Sequence, residues 1–155
     1  MASDDREIER KYLLRALPAG VTAHPSVEID QGYISGAKIL ERVRRIVDGT
    51  SVRYVRTIKL GTGVDRFEFE EEATKEFFET VWPLTRGHRL RKRRYLVPVA
   101  GGVWEVDEFL DRELVLAELE LSHPEDVVTL PPEIAAVLDR EVTDDGAFSN
   151  YQLSC

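Results

Sequence analysis

Polar and apolar residues alternate with a period of two along much of the chain, which is the pattern of a β-strand with two different faces. The clearest case is 65–72, where Phe67 and Phe69 alternate with glutamates. The same pattern, bounded by turn-forming residues, predicts eight strands, at 6–14, 27–34, 39–47, 51–60, 65–72, 89–98, 102–109 and 113–121. Short links such as Asp48-Gly49-Thr50 favour hairpins, so we expect sequential strands to pair antiparallel.

Two segments change to a helical period. Within 72–82, Phe77, Phe78 and Val81 fall on one helical face, and Pro83 follows the segment. A second, shorter helix is predicted at 132–139, where two prolines introduce it. The fold class predicted from these elements is α+β, mainly β, with a sheet and a few covering helices.

The composition limits the choice of function. The 155 residues suit one domain over 1–155, and the net charge of −8 argues against nucleic acid as the partner. The only cysteine is Cys155, so no disulfide forms within the chain, and the three histidines lack ligand spacing. No apolar run approaches the ~20 residues of a membrane span, and the start of the chain lacks the apolar core of a signal peptide. We therefore expect a cytoplasmic protein without a membrane partner.

Like charges recur two residues apart inside the predicted strands. Because side chains at i and i+2 point to the same side of a strand, each pair occupies one face of the sheet. The six pairs are Glu7/Glu9, Arg42/Arg44, Glu68/Glu70, Lys92/Arg94, Glu105/Asp107 and Glu118/Glu120.

Two interpretations of these pairs compete. Charged residues at alternate positions are most often the solvated face of a half-buried sheet, where opposite charges pair across strands. Here, however, like charges cluster within single strands. Converging carboxylates are ligands for a hard divalent cation, and converging Arg and Lys bind phosphates. The pattern therefore predicts metal-assisted phosphoryl chemistry in a charged cavity.

The charged motifs, taken in order, resemble those of the CYTH superfamily, the triphosphate tunnel metalloenzymes. Glu7-Ile8-Glu9-Arg10-Lys11 is similar to the ExExK signature of that family. The later motifs that resemble it are Gln31-Gly32-Tyr33, Arg42-Val43-Arg44, Thr57-Ile58-Lys59, Glu68-Phe69-Glu70, Lys92-Arg93-Arg94-Tyr95, Glu105-Val106-Asp107 and Glu118-Leu119-Glu120. The compact bacterial members, often inorganic tripolyphosphatases, are the most similar.

The resemblance implies a fold and a set of site residues. The fold is an eight-stranded antiparallel closed barrel that forms a tunnel. The implied ligands of Mg²⁺ or Mn²⁺ are Glu7, Glu9, Glu70, Asp107, Glu118 and Glu120. The implied substrate-binding residues are Lys11, Tyr33, Arg42, Arg44, Lys59, Lys92 and Arg94. The implied catalytic residues are Glu7, Glu9, Lys11, Glu118 and Glu120, and the implied reaction is hydrolysis of inorganic triphosphate to pyrophosphate and phosphate.

The sequence leaves several alternatives open. The substrate can instead be an organic triphosphate, thiamine triphosphate or a nucleoside triphosphate, or the chain can bind polyphosphate without turnover. The run 89–94 is basic at both parities, so its periodicity does not say which residues face inward, and by itself it resembles a nucleic-acid patch. Gly146 and Phe148 stand where many family members have a basic residue and a Tyr. A homodimer is compatible with the sequence.

Overall fold

An antiparallel sheet of nine strands makes up most of the computed structural model, which describes residues 8–60 and 67–155. The strands within these ranges are β1 Glu9–Leu14, β2 Ser26–Ser35, β3 Leu40–Asp48, β4 Ser51–Leu60, β5 Phe67–Ala73, β6 Arg89–Val99, β7 Gly102–Phe109, β8 Val115–Glu120 and β9 Leu138–Glu141. Their order across the sheet is β5-β4-β3-β2-β6-β7-β8-β1-β9. The mainly β, antiparallel prediction is therefore confirmed, and each of the eight predicted strands has a counterpart.

The closed eight-stranded barrel is not confirmed. In the described chain β5 and β9 are the two edge strands, and they do not pair with each other, so the sheet is open. Strand β9 is part of the reason, because it pairs with Tyr12–Leu14 on the edge of β1 that faces away from β8, so this stretch of the edge is not free for β5. The sheet is nevertheless strongly curved, since residues of β5 and β1 line one cavity.

The helices are shorter than the sequence pattern predicts. Helix α1 is Lys75–Val81. Thr74 is its N-cap residue, and the Thr74 side chain accepts a hydrogen bond of 3.0 Å from the Phe77 amide. A 3₁₀ turn, Trp82–Thr85, takes up the rest of the predicted segment. Helix α3 is Asn150–Ser154, and no helix in the described ranges has the length and apolar character needed to cross a membrane.

The predicted helix at 132–139 is wrong in its second half. Helix α2 is only Pro132–Ala135, and the chain then extends into β9, where Leu138 lies opposite Leu14 and Glu141 opposite Tyr12. Pairing with β1 fixes this extended conformation, and β1 lies far away in the sequence. The local pattern therefore does not contain the information.

The two faces of the sheet have different cores. On the outer face, Trp104, Val106 and Tyr12 pack with Ile134 of α2. On the inner face, α3 and the segment before it cover an apolar cluster that contains Phe109 and Leu116. Between the apolar ends of the inner face lies a charged middle, where the candidate site forms.

A glycine lets the 3₁₀ turn approach the sheet. A Cβ atom at Gly32 would lie 2.7 Å from the Thr85 side chain, which is too close for any other residue without movement. Thr85 is fully buried, and the Arg89 guanidinium carbon lies 4.4 Å from the centre of the Trp82 ring. The Gly at the centre of the Gln31-Gly32-Tyr33 motif therefore has a packing role on the outer face.

Candidate active site

The register of the sheet brings the like-charge pairs to one face. Lys11 of β1 lies opposite Glu118 of β8, which in turn lies opposite Glu105 of β7. Arg94 of β6 lies opposite Asp107. The other described members of the pairs share this parity, whereas Glu7 lies outside the described residues. The charged middle of the inner face is therefore continuous across most of the strands.

These side chains enclose a cavity of about 190 Å³. The described residues that line it are Glu9, Arg42, Arg44, Lys59, Glu68, Glu70, Arg94, Glu105, Glu118, Glu120 and Asn150. Four of these are basic and six are acidic, so the formal net charge of this lining is −2. The curvature of the sheet places glutamates of β5 and β1, which are far apart in the strand order, on the same cavity.

One side of the cavity is built by β3, β4 and β5. The Arg42 guanidinium donates to Thr57 Oγ1 at 3.1 Å and to Glu68 Oε1 at 3.3 Å. The Lys59 ammonium lies 3.4 Å from Glu68 Oε2. Glu70 lies opposite Thr57 in the register and is exposed at the mouth. Glu68 therefore holds two cations in place.

Arg44 differs from the other cations, because its hydrogen-bond partner is neutral. Its Nε donates to Gln31 Oε1 at 2.8 Å, and Gln31 Nε2 donates to the Tyr33 hydroxyl oxygen at 2.7 Å. Burial and the nearby charges of Arg42 and Arg94 together lower the pKa of Arg44 to about 10. The guanidinium stays charged at neutral pH, so it offers a buried positive charge to an anion.

A buried ionic cluster lies beneath the cavity, between β6 and β7. Asp107 accepts from Lys92 Nζ at 2.8 Å and from Arg94 Nε and Nη2 at 2.7 and 2.8 Å. Arg94 also contacts Glu105. Burial alone raises the pKa of Asp107, but the charges of Arg94 and Lys92 outweigh it and hold this pKa well below the ordinary value.

This cluster separates two predicted site residues from the cavity lining. Lys92 and Asp107 are both fully buried and bond to each other, and Lys92 Nζ also lies 3.4 Å from Asn150 Oδ1. Both oxygens of Asp107 already accept hydrogen bonds from cations. The roles of Lys92 as a substrate ligand and of Asp107 as a metal ligand stay predictions.

On the opposite side, Lys11 and Glu118 form a buried pair. Lys11 Nζ lies 3.3 Å from Glu118 Oε1 and donates to the Phe148 carbonyl oxygen at 3.1 Å. Burial raises the pKa of Glu118, but the charges of Lys11, Arg94 and Lys92 together outweigh burial and lower this pKa below the ordinary value. Glu118 Oε1 is buried and makes no hydrogen bond with any described residue.

The carboxylates suit a hard divalent cation by their chemistry. Glu9, Glu70, Glu118 and Glu120 supply only oxygen donors, which Mg²⁺ and Mn²⁺ prefer. Glu120 lies opposite Glu9, so two like charges are neighbours across the strand pair. In the described residues, no three His, Cys, Asp or Glu side chains are gathered as a formed metal cluster. The four carboxylates fit Mg²⁺ or Mn²⁺ by their chemistry, although they lie at separate positions around the cavity.

A second cavity of about 280 Å³ adjoins the first and shares Glu9, Lys59 and Asn150 with it. The chain from Val142 to Tyr151 forms much of its wall, together with Lys11, Tyr33 and Leu40. The Tyr151 ring meets Tyr33 edge-on and stacks on His88, with ring centres 5.6 and 5.5 Å apart. The tail therefore takes part in the site through the Phe148 carbonyl and through Asn150, rather than through a basic residue at Gly146.

The structure also shows which side chains of 89–94 face the inner side of the sheet. Lys92 and Arg94 face the inner side, whereas Arg91 and Arg93 lie on the outer face and pair with Glu28 at 3.7 and 2.5 Å. The outer arginines are therefore already engaged with carboxylates, which does not favour a nucleic-acid patch.

Sequence reasoning missed four residues as individual site members. Glu68 and Glu105 lie on the cavity, and their signal was present, because each shares the parity of a chosen neighbour. Gln31 lay in a recognised motif, but only its contacts show what it does. Asn150 is brought to the site by the tail, and no local pattern indicates this.

Comparison with known proteins places the chain in a family. No protein-family model matches it. It is 34% identical over 152 residues to an inorganic triphosphatase of Nitrosomonas europaea, with 96% of each chain covered. It is 32% identical over 151 residues to an inorganic triphosphatase of Acetivibrio thermocellus, covering 96% of this chain and 92% of that one.

A solved structure agrees with these relatives. The crystal structure of an inorganic triphosphatase matches with a TM-score of 0.67 and 31% identity, covering 99% of this chain and 95% of that one. The likeness covers nearly the whole chain, and it agrees with the resemblance of the charged motifs to the CYTH superfamily. This chain belongs to the inorganic triphosphatase family.

Proposed function

We propose that the chain hydrolyses inorganic triphosphate to pyrophosphate and phosphate with the help of bound Mg²⁺ or Mn²⁺. The observation that carries the proposal is the cavity of about 190 Å³ in which buried arginines face several glutamates. Two relatives at 34% and 32% identity, both named inorganic triphosphatase, support the same substrate.

The charge of the cavity supports the need for a metal. With six acidic and four basic side chains, the described lining repels a polyanion on balance. A triphosphate therefore binds well only if divalent cations come with it. The basic side chains Arg42, Arg44 and Lys59 then hold phosphate oxygens, and guanidinium groups make paired hydrogen bonds to such oxygens.

The residues that would hold the metal are Glu9, Glu70, Glu118 and Glu120, with Glu7 and Asp107 as further candidates. When bound, such an ion polarises phosphoryl oxygens and makes a water molecule more acidic. The protein holds the phosphate chain against its arginines. Glu68, which contacts Arg42 and Lys59 at 3.3 and 3.4 Å, keeps these two cations in position for the ligand.

The cavity favours direct attack by water. Its described lining contains no Ser, Thr, Cys or His side chain. Of the side chains that form covalent intermediates, the lining contains only carboxylates and Lys59, and the proposed reaction uses these groups to hold the metal and the phosphates. Preorganised positive charge is then the main contribution of the protein, because negative charge moves onto the leaving phosphate as the bond breaks.

A second candidate, hydrolysis of an organic triphosphate, is favoured by the adjoining cavity. This cavity of about 280 Å³ presents Leu40, Phe148 and Tyr151 beside the charged residues. Apolar and aromatic walls of this kind suit the organic part of thiamine triphosphate or a nucleoside triphosphate. Inorganic triphosphate makes no use of them.

A substrate panel tests the proposal. Phosphate release is measured from inorganic triphosphate, ATP and thiamine triphosphate at equal concentration, with Mg²⁺ or Mn²⁺ titrated from zero. We expect the highest kcat/KM for inorganic triphosphate and no turnover in excess chelator. Faster turnover of an organic triphosphate would support the second candidate.

Thermal unfolding separates the remaining alternatives. A specific ligand stabilises the folded state by mass action. Stabilisation by triphosphate and metal without hydrolysis would identify a binding module that does not turn over. No stabilisation would leave the charges as a structural network that does not bind triphosphate. Closure of the sheet into a tunnel, a cytoplasmic location and a homodimer stay predictions from the sequence.

A further inference from the structure

Gln31 lies completely buried behind the cavity, between Arg44 and Tyr33. Neither its side-chain oxygen nor its side-chain nitrogen reaches solvent. Its amide makes short hydrogen bonds to two residues of the site, and a side chain that served only for packing would not need them. What Gln31 does there follows from which of its neighbours can donate and which can accept.

The orientation of the amide is fixed by its neighbours. A guanidinium has only donors, so the group that faces Arg44 Nε at 2.8 Å must be the amide oxygen of Gln31. The amide nitrogen is then turned to the Tyr33 hydroxyl oxygen, 2.7 Å away, and donates to it. Tyr33 is therefore the acceptor in this bond, and its own hydroxyl proton points elsewhere.

The surroundings of Tyr33 leave that proton to the cavity. The two nearby charged groups that Tyr33 influences, the Lys11 ammonium and the Arg44 guanidinium, have donors only, so neither can accept this proton. In 8–60 and 67–155 the Tyr33 hydroxyl donates to no residue, and Tyr33 lines the cavity of about 280 Å³ that adjoins the one lined by Arg44. A phosphate oxygen is a strong acceptor for such a proton.

We propose that Gln31 is a positioning residue that keeps the Tyr33 hydroxyl proton and the Arg44 guanidinium directed at the bound triphosphate. This inference rests on the proposed function for the identity of the ligand. Gln31 does not touch the ligand itself. It acts because an amide, unlike a carboxylate, accepts from the arginine on one side and donates to the tyrosine on the other.

The substitution Gln31→Glu tests this with almost no change of shape. A carboxylate still accepts from Arg44, but it also accepts from Tyr33, so the hydroxyl proton turns away from the cavity. A hydrogen bond to a charged group is worth about 10- to 100-fold in binding. We expect Gln31→Glu and Tyr33→Phe each to lower kcat/KM for triphosphate by about that factor.

The decisive measurement is the double mutant. If Gln31→Glu acts by turning the Tyr33 proton, then adding it to Tyr33→Phe lowers kcat/KM by less than about 3-fold, because the proton is already gone. If Gln31→Glu acts only through its charge on Arg44 or by damaging the fold, its effect is equally large in both backgrounds, and the assignment of the Tyr33 proton to the ligand is wrong. Asp30→Asn is the matched control, since Asp30 is on the outer face of the same strand, where it lies 3.5 Å from Arg45.

Gln31→Met provides a second test that does not introduce a charge. Its side chain cannot donate to Tyr33 and offers the hydroxyl only a weak sulfur acceptor, so the proton is no longer held toward the cavity. Tyr33→Phe is therefore expected to lose part of its effect in this background and most of it in the Gln31→Glu background. An effect of Tyr33→Phe that stays as large in both variants as in the wild type would overturn the proposal. If the wild-type chain does not hydrolyse triphosphate, the proposed function fails, and the same cycle is then measured on the calorimetric affinity for triphosphate with Mg²⁺.

Discussion

The inner and outer faces of the sheet carry similar charged residues in very different settings. On β6, the outer Arg93 lies 2.5 Å from Glu28, with the two side chains 36% and 38% exposed. The inner Arg94 lies 2.7 Å from Asp107, with exposures of 12% and 1%. An exposed ion pair contributes about 0–1 kcal/mol to stability, whereas removing one partner of a buried pair costs about 3–5 kcal/mol. Neighbouring residues of one strand therefore have separable roles.

The same contrast on β3 shows what the inner face is built for. The outer Arg45 lies near the carboxylate of Asp30, at 3.5 Å. The inner Arg44 makes its hydrogen bond to the neutral amide of Gln31. A buried guanidinium with a neutral partner keeps its charge available, and this charge is what an anionic ligand needs. Each inner residue also has an outer neighbour that serves as its control.

The largest effect is expected from the buried cluster. Asp107→Asn leaves Lys92 and Arg94 as buried cations without their carboxylate, so we expect the free energy of unfolding to fall by about 3 kcal/mol. Glu108→Gln, on the outer face of the same strand, is expected to change it by less than about 0.5 kcal/mol. Urea unfolding of the two variants measures both values, and equal losses would remove the distinction between the faces.

The next effect concerns the arginines of β3. Arg44→Ala removes a preorganised positive charge from the cavity, and we expect kcat/KM for triphosphate to fall by about 100-fold or more. Arg45→Ala removes only an exposed pair and is expected to change it by less than about 2-fold. Steady-state kinetics at saturating Mg²⁺ gives both ratios. A fall of similar size in Arg45→Ala would argue against a cavity-specific role.

A smaller effect is expected for the glutamates of β5. Glu70→Gln removes an anionic oxygen from the cavity mouth, so we expect the Mg²⁺ concentration for half-maximal activity to rise by about tenfold, equivalent to ~1.4 kcal/mol. Glu71, on the outer face, lies 3.4 Å from Arg56. Glu71→Gln is therefore expected to leave the metal requirement unchanged. An equal shift in both variants would place the metal elsewhere.

The smallest effect is on the acid dependence of stability. Arg94 and Lys92 hold the pKa of Asp107 below its ordinary value of 3.8, so the folded state binds the proton more weakly than the unfolded state does. The stabilisation is therefore complete above about pH 4 and is lost as the pH falls below it. Asp107→Asn lacks this group, so its free energy of unfolding is expected to fall less steeply with acid. Parallel pH profiles for wild type and variant would contradict this.

The sequence predicted which side chains share a face wherever one parity of a strand was charged and the other apolar, and the family resemblance implied that the charged face is the inner one. In β5, glutamates alternate with Phe67 and Phe69, so the spacing of two residues was enough to separate the charged face from the apolar face. In 89–94 both parities are basic, and only the pairing with other strands determines which of these residues face inward. Lys92 faces inward because β6 lies between β2 and β7, opposite Ile29 and Phe109.

The parts that the sequence did not predict depend on contacts between distant segments. Strand β9 is extended because its backbone pairs with β1, although Pro132 and the following residues favour a helix. Asn150 reaches Lys92 because the tail packs on the inner face. Gln31 was part of a motif, but its place between Arg44 and Tyr33 depends on the register of β2 and β3. The periodicity of a local segment does not predict any of these contacts between distant segments.

The most direct test of the charged cavity follows triphosphate by phosphorus NMR with the wild-type chain, Arg44→Ala and Arg45→Ala. With Mg²⁺, we expect the wild type and Arg45→Ala to convert triphosphate into equal amounts of pyrophosphate and phosphate. Chelator is expected to abolish this conversion, and Arg44→Ala is expected to slow it by about 100-fold. Absence of conversion by the wild type, or equal rates in the two arginine variants, would contradict the assignment of the cavity as a triphosphatase site.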